Sequence, residues 1–210
     1  MKVTLRILLV VAVVLLVYMC YASLMIPVKF QEEQKLREKA IIARLIDIRK
    51  TQIEYKNIHK EHAANFDLLA KFLEEEKLPF LVKEGVLTDE QLEAGMTEQE
   101  AVKKGIIKRD TLWVLAKDTL FGKDFNSVDL RNVPGTNVQF NMDTATIISG
   151  SGYVIKVFEA GVKYDDYLGD LNKQELFNLN EVAIKQNKYP GLRVGSLTEI
   201  NNNAGNWENL

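Results

Sequence analysis

The two histidines of the chain, His59 and His62, fall three residues apart in HKEH, with Glu61 between them. On a helix that spacing sets both imidazoles on one face, where they could share a transition metal. A closed site needs a third and a fourth ligand, and no other His and no Cys stands outside the apolar N-terminal run to supply them. The zinc-protease order His-Glu-x-x-His is absent. Seam or surface histidines are therefore expected, with no metal and no cofactor. The acid-rich run Asp89 to Glu100 lacks the spacing of a calcium loop. Asp165 and Asp166 in YDDYL, read as strand neighbours, point to opposite faces and do not form a catalytic pair. There is no G-x-S-x-G, no cysteine for nucleophilic catalysis beyond the apolar run, and no G-x-x-x-x-G-K-[ST]. The link SGSG, Ser149 to Gly152, fits a hairpin turn rather than a phosphate loop. No enzyme is expected and no small-molecule substrate is identified. The formal net charge of −2 lacks the basic stripe that nucleic acid requires.

The elements that position these residues begin with an apolar run, Ile7 to Val28, preceded by Lys2 and Arg6. About 20 residues at roughly 1.5 Å each cover the hydrocarbon layer of a bilayer. We expect residues 1–6 as a cytoplasmic tail and 7–28 as an uncleaved transmembrane helix. Removal as a signal peptide after Ala22 is the other possibility. The bilayer is the first partner, and basic residues ahead of the span put the remainder in the periplasm. Lys29, Lys35, Arg37 and Lys39 beyond the span weaken that orientation signal. Cys20, the single cysteine, lies inside the run, so disulfides within the chain and cysteine-held zinc are excluded.

From 29 to 62 helix formers dominate, and we expect an amphipathic stalk helix there. Ile41, Leu45, Ile48, Gln52, Tyr55, His59 and His62 recur at alternating spacings of four and three, a heptad-like seam. Ile42, Ile46, Ile53 and Ile58 widen it. A wide face suits burial on the chain's own domain, and a seam suits a partner helix. Ile41, Leu45, Ile48, Gln52 and Tyr55 are the candidate partner-binding face, flanked by Arg44, Arg49 and Lys50.

Residues 63–210 are expected to form a small periplasmic α+β domain, mostly antiparallel sheet with short helices. AANFDLLAKFLEEEK reads as a helix capped by Asn65 and ended by Pro79. Thr88 to Gln91 and Thr97 to Glu100 are capping boxes of two short helices, the second closing at Lys103, Lys104 and Gly105. TLWVLA, NVQFN, TATII and YVIKVFEA read as strands, Asn172 caps a helix to about Gln186, and LRVGSL follows as a last strand. Trp207 reads as a tail docked on its own core more readily than as a partner contact.

The segments EGVLTDEQLEAGMTEQEAVKKGIIKRDT and KYPGLRVGSLTEINNNAGNWE resemble an uncharacterised single-pass membrane family of Bacteroidota, a likeness that implies no activity. RLIDIRKTQIEYKNIHKEHAANFDLL, Arg44 to Leu69, is similar to the long first helix of type IV pilins and pseudopilins. That resemblance implies a membrane helix running into an amphipathic half and then an antiparallel sheet. The Gly-Phe processing site and the early glutamate of that family are not in this chain. In architecture the chain also resembles inner-membrane alignment proteins of pilus and type II secretion machines. The expectation is a non-enzymatic, membrane-anchored structural component of a cell-envelope assembly. The alternative is a free-standing periplasmic ligand-binding or sensing module.

Overall fold

The computed structural model describes residues 2–93 and 95–208. The fold is α+β, as expected: one long N-terminal helix, then small antiparallel sheets with short helices. It divides into two compact units, a larger one made of the chain up to Asn65 with the chain from Leu130 onward, and a smaller one from Phe66 to Asp129.

In the larger unit, α1 runs unbroken from Lys2 to His59. Pro27 lies inside it and removes one backbone donor, the N–H that would bond Ser23 C=O. The two halves of α1 differ in what covers them. From Ile7 to Tyr21 nearly every large apolar side chain is exposed, and the helix is long and apolar enough to cross a membrane. From Phe30 the burial changes: Phe30, Ile41, Leu45, Ile48, Thr51, Gln52 and Tyr55 are all buried. Against this half packs a three-stranded antiparallel sheet of order β3 (Asn141–Ile148), β4 (Val154–Lys163) and β5 (Gly191–Gly195), chiefly through β5 and β4. Ile148 pairs Val154 at the turn, and Lys163 pairs Gly191 at the other edge. Phe158, Ala160 and Val162 alternate along β4, and Leu192 and Val194 share their face; all five are buried. Burying apolar surface between a wide helical stripe and such a face is the main stabilising term, about 25 cal/mol per Å². Gly195 is required where it stands: its φ is +74° and an added Cβ would lie 2.1 Å from Phe158 O. Between β4 and β5 come α6 (Tyr164–Leu168) and α7 (Lys173–Lys185), the latter capped by Asn172 Oδ1 accepting from Gln174 and Glu175 N–H.

The smaller unit has α2 (Phe66–Glu75), whose Leu69, Phe72 and Leu73 are buried, and a two-stranded ribbon of β1 (Lys77–Glu84) and β2 (Lys108–Leu115). Two short helices, α3 (Asp89–Glu93) and α4 (Glu98–Lys103), lie between the strands, and α5 (Ala116–Leu120) follows them. The expected capping box at Thr97 and Glu100 is present in both directions, and Thr88 N–H donates to Gln91 Oε1.

Several expectations are corrected here. The stalk does not reach residue 62: Lys60 turns to φ 61° and ends α1 at His59. Of the two options for its apolar face, burial on the chain's own domain is the one found, because its second half lies in the core of the larger unit. Pro79 does not stop α2, which ends at Glu75; it sits in β1 opposite Trp113. A proline is tolerated there because a two-stranded ribbon is all edge. NVQFN contributes a single bridge, Asn132 to Gln139, before β3 begins at Asn141. Asp165 and Asp166 are on α6, not on a strand.

Candidate functional site

The five residues of the candidate partner-binding face, Ile41, Leu45, Ile48, Gln52 and Tyr55, lie together on one stripe of α1, all buried, the first four at 0% exposure. The chain's own sheet covers them, so in this fold they are not a surface open to a partner helix. The physical reason is the width that the half-buried Ile42 and Ile46 add, while Ile53 stays exposed: one helix cannot cover such a stripe, and a sheet can.

At the end of that stripe stands a polar knot. Gln52 Nε2 donates to Ala63 O at 2.9 Å, and Ala63 N–H donates to Gln52 Oε1 at 2.9 Å. This pair of bonds fixes the amide, with its oxygen toward His62 Nδ1 at 3.3 Å. An oxygen can only accept, so Nδ1 carries the proton and Nε2 presents a lone pair. His62 is 6% exposed, and its Nε2 has no hydrogen-bond partner. Its ring tilts against Phe158 with centroids 4.8 Å apart. Burial, with the nearby charge of Lys56, pushes the imidazole down to about 4, so it is neutral at ordinary pH.

Around His62 the sheet and the turn after α1 leave a hollow of about 160 Å³, lined by Glu61, His62, Thr144, Ala145, Thr146, Lys156 and Val157. Thr144 pairs Phe158 and Thr146 pairs Lys156, so these four side chains rise from one face of the sheet. Lys156 Nζ meets Glu61 Oε2 at 3.0 Å, and Lys56 Nζ donates to Lys156 O at 3.0 Å.

The expected pairing of His59 and His62 on one helical face does not occur. His59 is exposed on α1 and stacks on Tyr55 at 4.3 Å, whereas His62 has left the helix and entered the interior. No group of three or more His, Cys, Asp or Glu that could hold a metal stands among the described residues. Sequence reasoning missed Lys156, Thr144 and Thr146 altogether. The signal available was Gln52, a polar side chain in an apolar seam, which must find partners when buried.

A second polar cluster pins α1 nearer its apolar half. Arg37 grips Asp170 through both guanidinium nitrogens at 2.5 and 2.7 Å and also donates to Tyr167 O at 2.6 Å. Tyr167, almost wholly buried, donates its hydroxyl to Glu38 Oε1 at 3.0 Å. The Arg37 guanidinium holds the Asp170 carboxyl below its usual range. Farther along, Arg49 meets Glu208 at 2.6 Å, which ties the tail to the helix. Trp207 folds over Gly205, where a Cβ would lie 2.4 Å from the indole ring.

No protein-family model, curated protein or solved structure matches this chain.

Proposed function

We propose that this chain is a non-enzymatic structural component of a cell-envelope assembly, anchored in the inner membrane by residues 7–28 with its folded part in the periplasm. The observation that carries the reading is α1 itself, one helix whose first half is apolar and uncovered and whose second half is the core of the larger unit. An apolar helical surface that long is not stable in water, and a bilayer or neighbouring apolar helices must cover it. Lys2 and Arg6 ahead of the run favour the cytoplasmic side for that end. Of the two architectural likenesses, the pilin-like one is favoured, because the second half of α1 is laid against an antiparallel sheet instead of standing free as a coiled coil. Assembly would then proceed through the uncovered half of α1, not through the stripe of Ile41 to Tyr55.

The test uses Cys20, the one native thiol, which is exposed on that half. Native membranes are washed at alkaline pH and oxidised with copper phenanthroline, and single cysteines moved along 12–24 in a Cys20→Ser background extend the scan. Retention in the membrane with disulfide adducts recurring every three to four positions is the expected result. Release by the alkaline wash would sink the anchor. Retention without an adduct at any position would sink the assembly.

A further inference from the structure

The segment between β4 and β5 lies at the end of the larger unit nearest the apolar run. At the opposite end, Lys156 of β4 meets Glu61, just past α1, and Lys56 reaches its carbonyl. From there β4 runs back along α1 to Lys163, which pairs Gly191 at the start of β5. The excursion holding α6 and α7 therefore leaves and rejoins the sheet at one level, where Tyr164 N–H donates to Pro190 O. It meets α1 at Arg37, which bonds Tyr167 O and Asp170. At 1.5 Å per residue, Arg37 stands about 14 Å above Val28, the end of the apolar run. Phe30, only about 3 Å above Val28, is 6% exposed, so the folded part reaches down into the level of the lipid headgroups. That layer is roughly 5–7 Å thick on each side of a bilayer.

The two sides of α7 differ. Leu176 and Ala183 are buried inward. Phe177 and Ile184, two turns apart and nearly in line along the helix, are each 59% exposed. Lys173 precedes Phe177 by one turn on that line, and Lys188 follows Ile184 just past the helix end. Apolar anchors between flanking lysines are what an interfacial helix needs. The apolar groups sink to the acyl boundary and the long basic side chains reach back to the phosphates.

We propose that α7 rests in the headgroup layer of the bilayer that α1 crosses, with Phe177 and Ile184 at the acyl boundary and Lys173 and Lys188 against lipid phosphates. The inference rests on the membrane anchor proposed above and adds a second foothold to it. Continuity favours lipid over a protein partner. The span already holds the bilayer beside this end of the unit, so the contact is intramolecular in effect and a small area suffices. Two side chains offer far less than the roughly 800 Å² that each partner brings to a standard protein interface. A seated α7 also sets the tilt of the folded part at Pro27, where α1 lacks a backbone bond.

The test places an environment-sensitive fluorophore on single cysteines of the full chain, in a Cys20→Ser background. The chain is held in nanodiscs of phosphatidylethanolamine and phosphatidylglycerol. Phe177→Cys and Ile184→Cys report the proposed face, and Val182→Cys the exposed other side of α7. Tyr153→Cys reports the far end of the unit, and Leu24→Cys the apolar run. Lipids with a nitroxide near the top of the acyl chain should quench the probes at 177, 184 and 24 and find their emission blue-shifted. Aqueous iodide should quench those at 182 and 153 instead. Iodide quenching at 177 and 184 as strong as at 153, with the nitroxide acting at 24 alone, would leave the anchor standing and overturn the seat. Shielding of 177 and 184 from both quenchers would mean that protein covers the face, a second copy included, and overturns the lipid assignment. Absence of nitroxide quenching at 24 as well would sink the anchor and this inference with it.

Discussion

Gln52 and His62 couple the register of α1 to its sheet through atoms that have no alternative partners. Gln52→Leu keeps the volume but strands the Ala63 N–H and C=O and frees His62 Nδ1. It is expected to destabilise the larger unit by about 2–4 kcal/mol, the cost of orphaning more than one buried polar group. Urea unfolding followed by Trp207 fluorescence reads that loss. Acidification acts through His62 with a definite sign. Burial pushes folded His62 down to about 4, against an ordinary value of about 6.5, so between those values the unfolded chain binds a proton that the folded one refuses. The stability contributed by the neutral ring is full above about 6.5 and is lost as pH falls toward about 4. Asp47, half-buried and raised by desolvation, works in the opposite sense, because its folded form holds a proton longer. The clean observable is therefore the melting temperature of the wild type minus that of His62→Gln. This difference should fall from pH 7 to pH 4.5 by several degrees, at roughly 2–4 °C per kcal/mol. A flat difference would show that His62 is solvated. Of these residue-scale features the sequence made only half legible: Gln52 was visible as a polar member of an apolar stripe, but Ala63 and Met142 reach it through folding that no local spacing encodes.

Among the elements, α1 and the strand edges make the sharpest predictions. Ile48→Glu and Leu45→Glu bury a charge at positions of 0% exposure, so each should unfold the larger unit whether or not a partner is present. A folded variant that merely lost its partners would contradict the burial of that stripe. The outer edge of β3 is guarded in a different way. Ser149 N–H donates to Tyr153 O, and the alternation of antiparallel pairs then turns Thr144 N–H away from β4, where Asp143 Oδ1 accepts it at 2.7 Å. Asp110 and Thr111 repeat the contact on β2 at 2.8 Å. A carboxylate seated on an edge donor blocks strand addition. Asp143→Ala should raise concentration-dependent self-association, measured by sedimentation velocity, with little change in melting. Local chemistry made several elements readable in advance: the Thr97 and Asn172 caps, the SGSG turn with Gly152 at φ 84°, and the β3–β4 hairpin. β1 was not readable, because Pro79 is a helix stop by local rules and becomes an edge-strand residue only once Trp113 pairs with it. The burial of the α1 stripe was readable only as one of two options, since a periodic apolar face does not say whose surface covers it.

At the scale of the whole chain, the division into two units has a spectroscopic handle, because each unit contains one tryptophan, Trp113 in the smaller and Trp207 in the larger. Trp207→Phe leaves a reporter of the smaller unit and Trp113→Phe a reporter of the larger. A two-stranded ribbon with a few short helices buries less apolar surface than a helix on a three-stranded sheet. Unfolding of the Trp113 reporter is expected at lower urea than that of Trp207, and coincident midpoints would mean that the units melt as one.

Pro27 gives this arrangement a mechanical consequence. The helix loses a backbone bond there, just before its buried half begins, and pliancy concentrates at that point. From Val28 to His59 the helix is about 47 Å long at 1.5 Å per residue, stiffened along much of its length by the sheet. Lys56 and Glu61 meet Lys156 while Arg37 meets Asp170, so β4 runs back along α1 and the Ile148–Val154 turn lies at its far end. A swing of about 10° at Pro27 would carry that far end sideways by roughly 8 Å while its foot hardly moved. Within the larger unit, small rotations of the apolar helix about Pro27 would become large displacements of the exposed Ile148, Tyr153 and Val154.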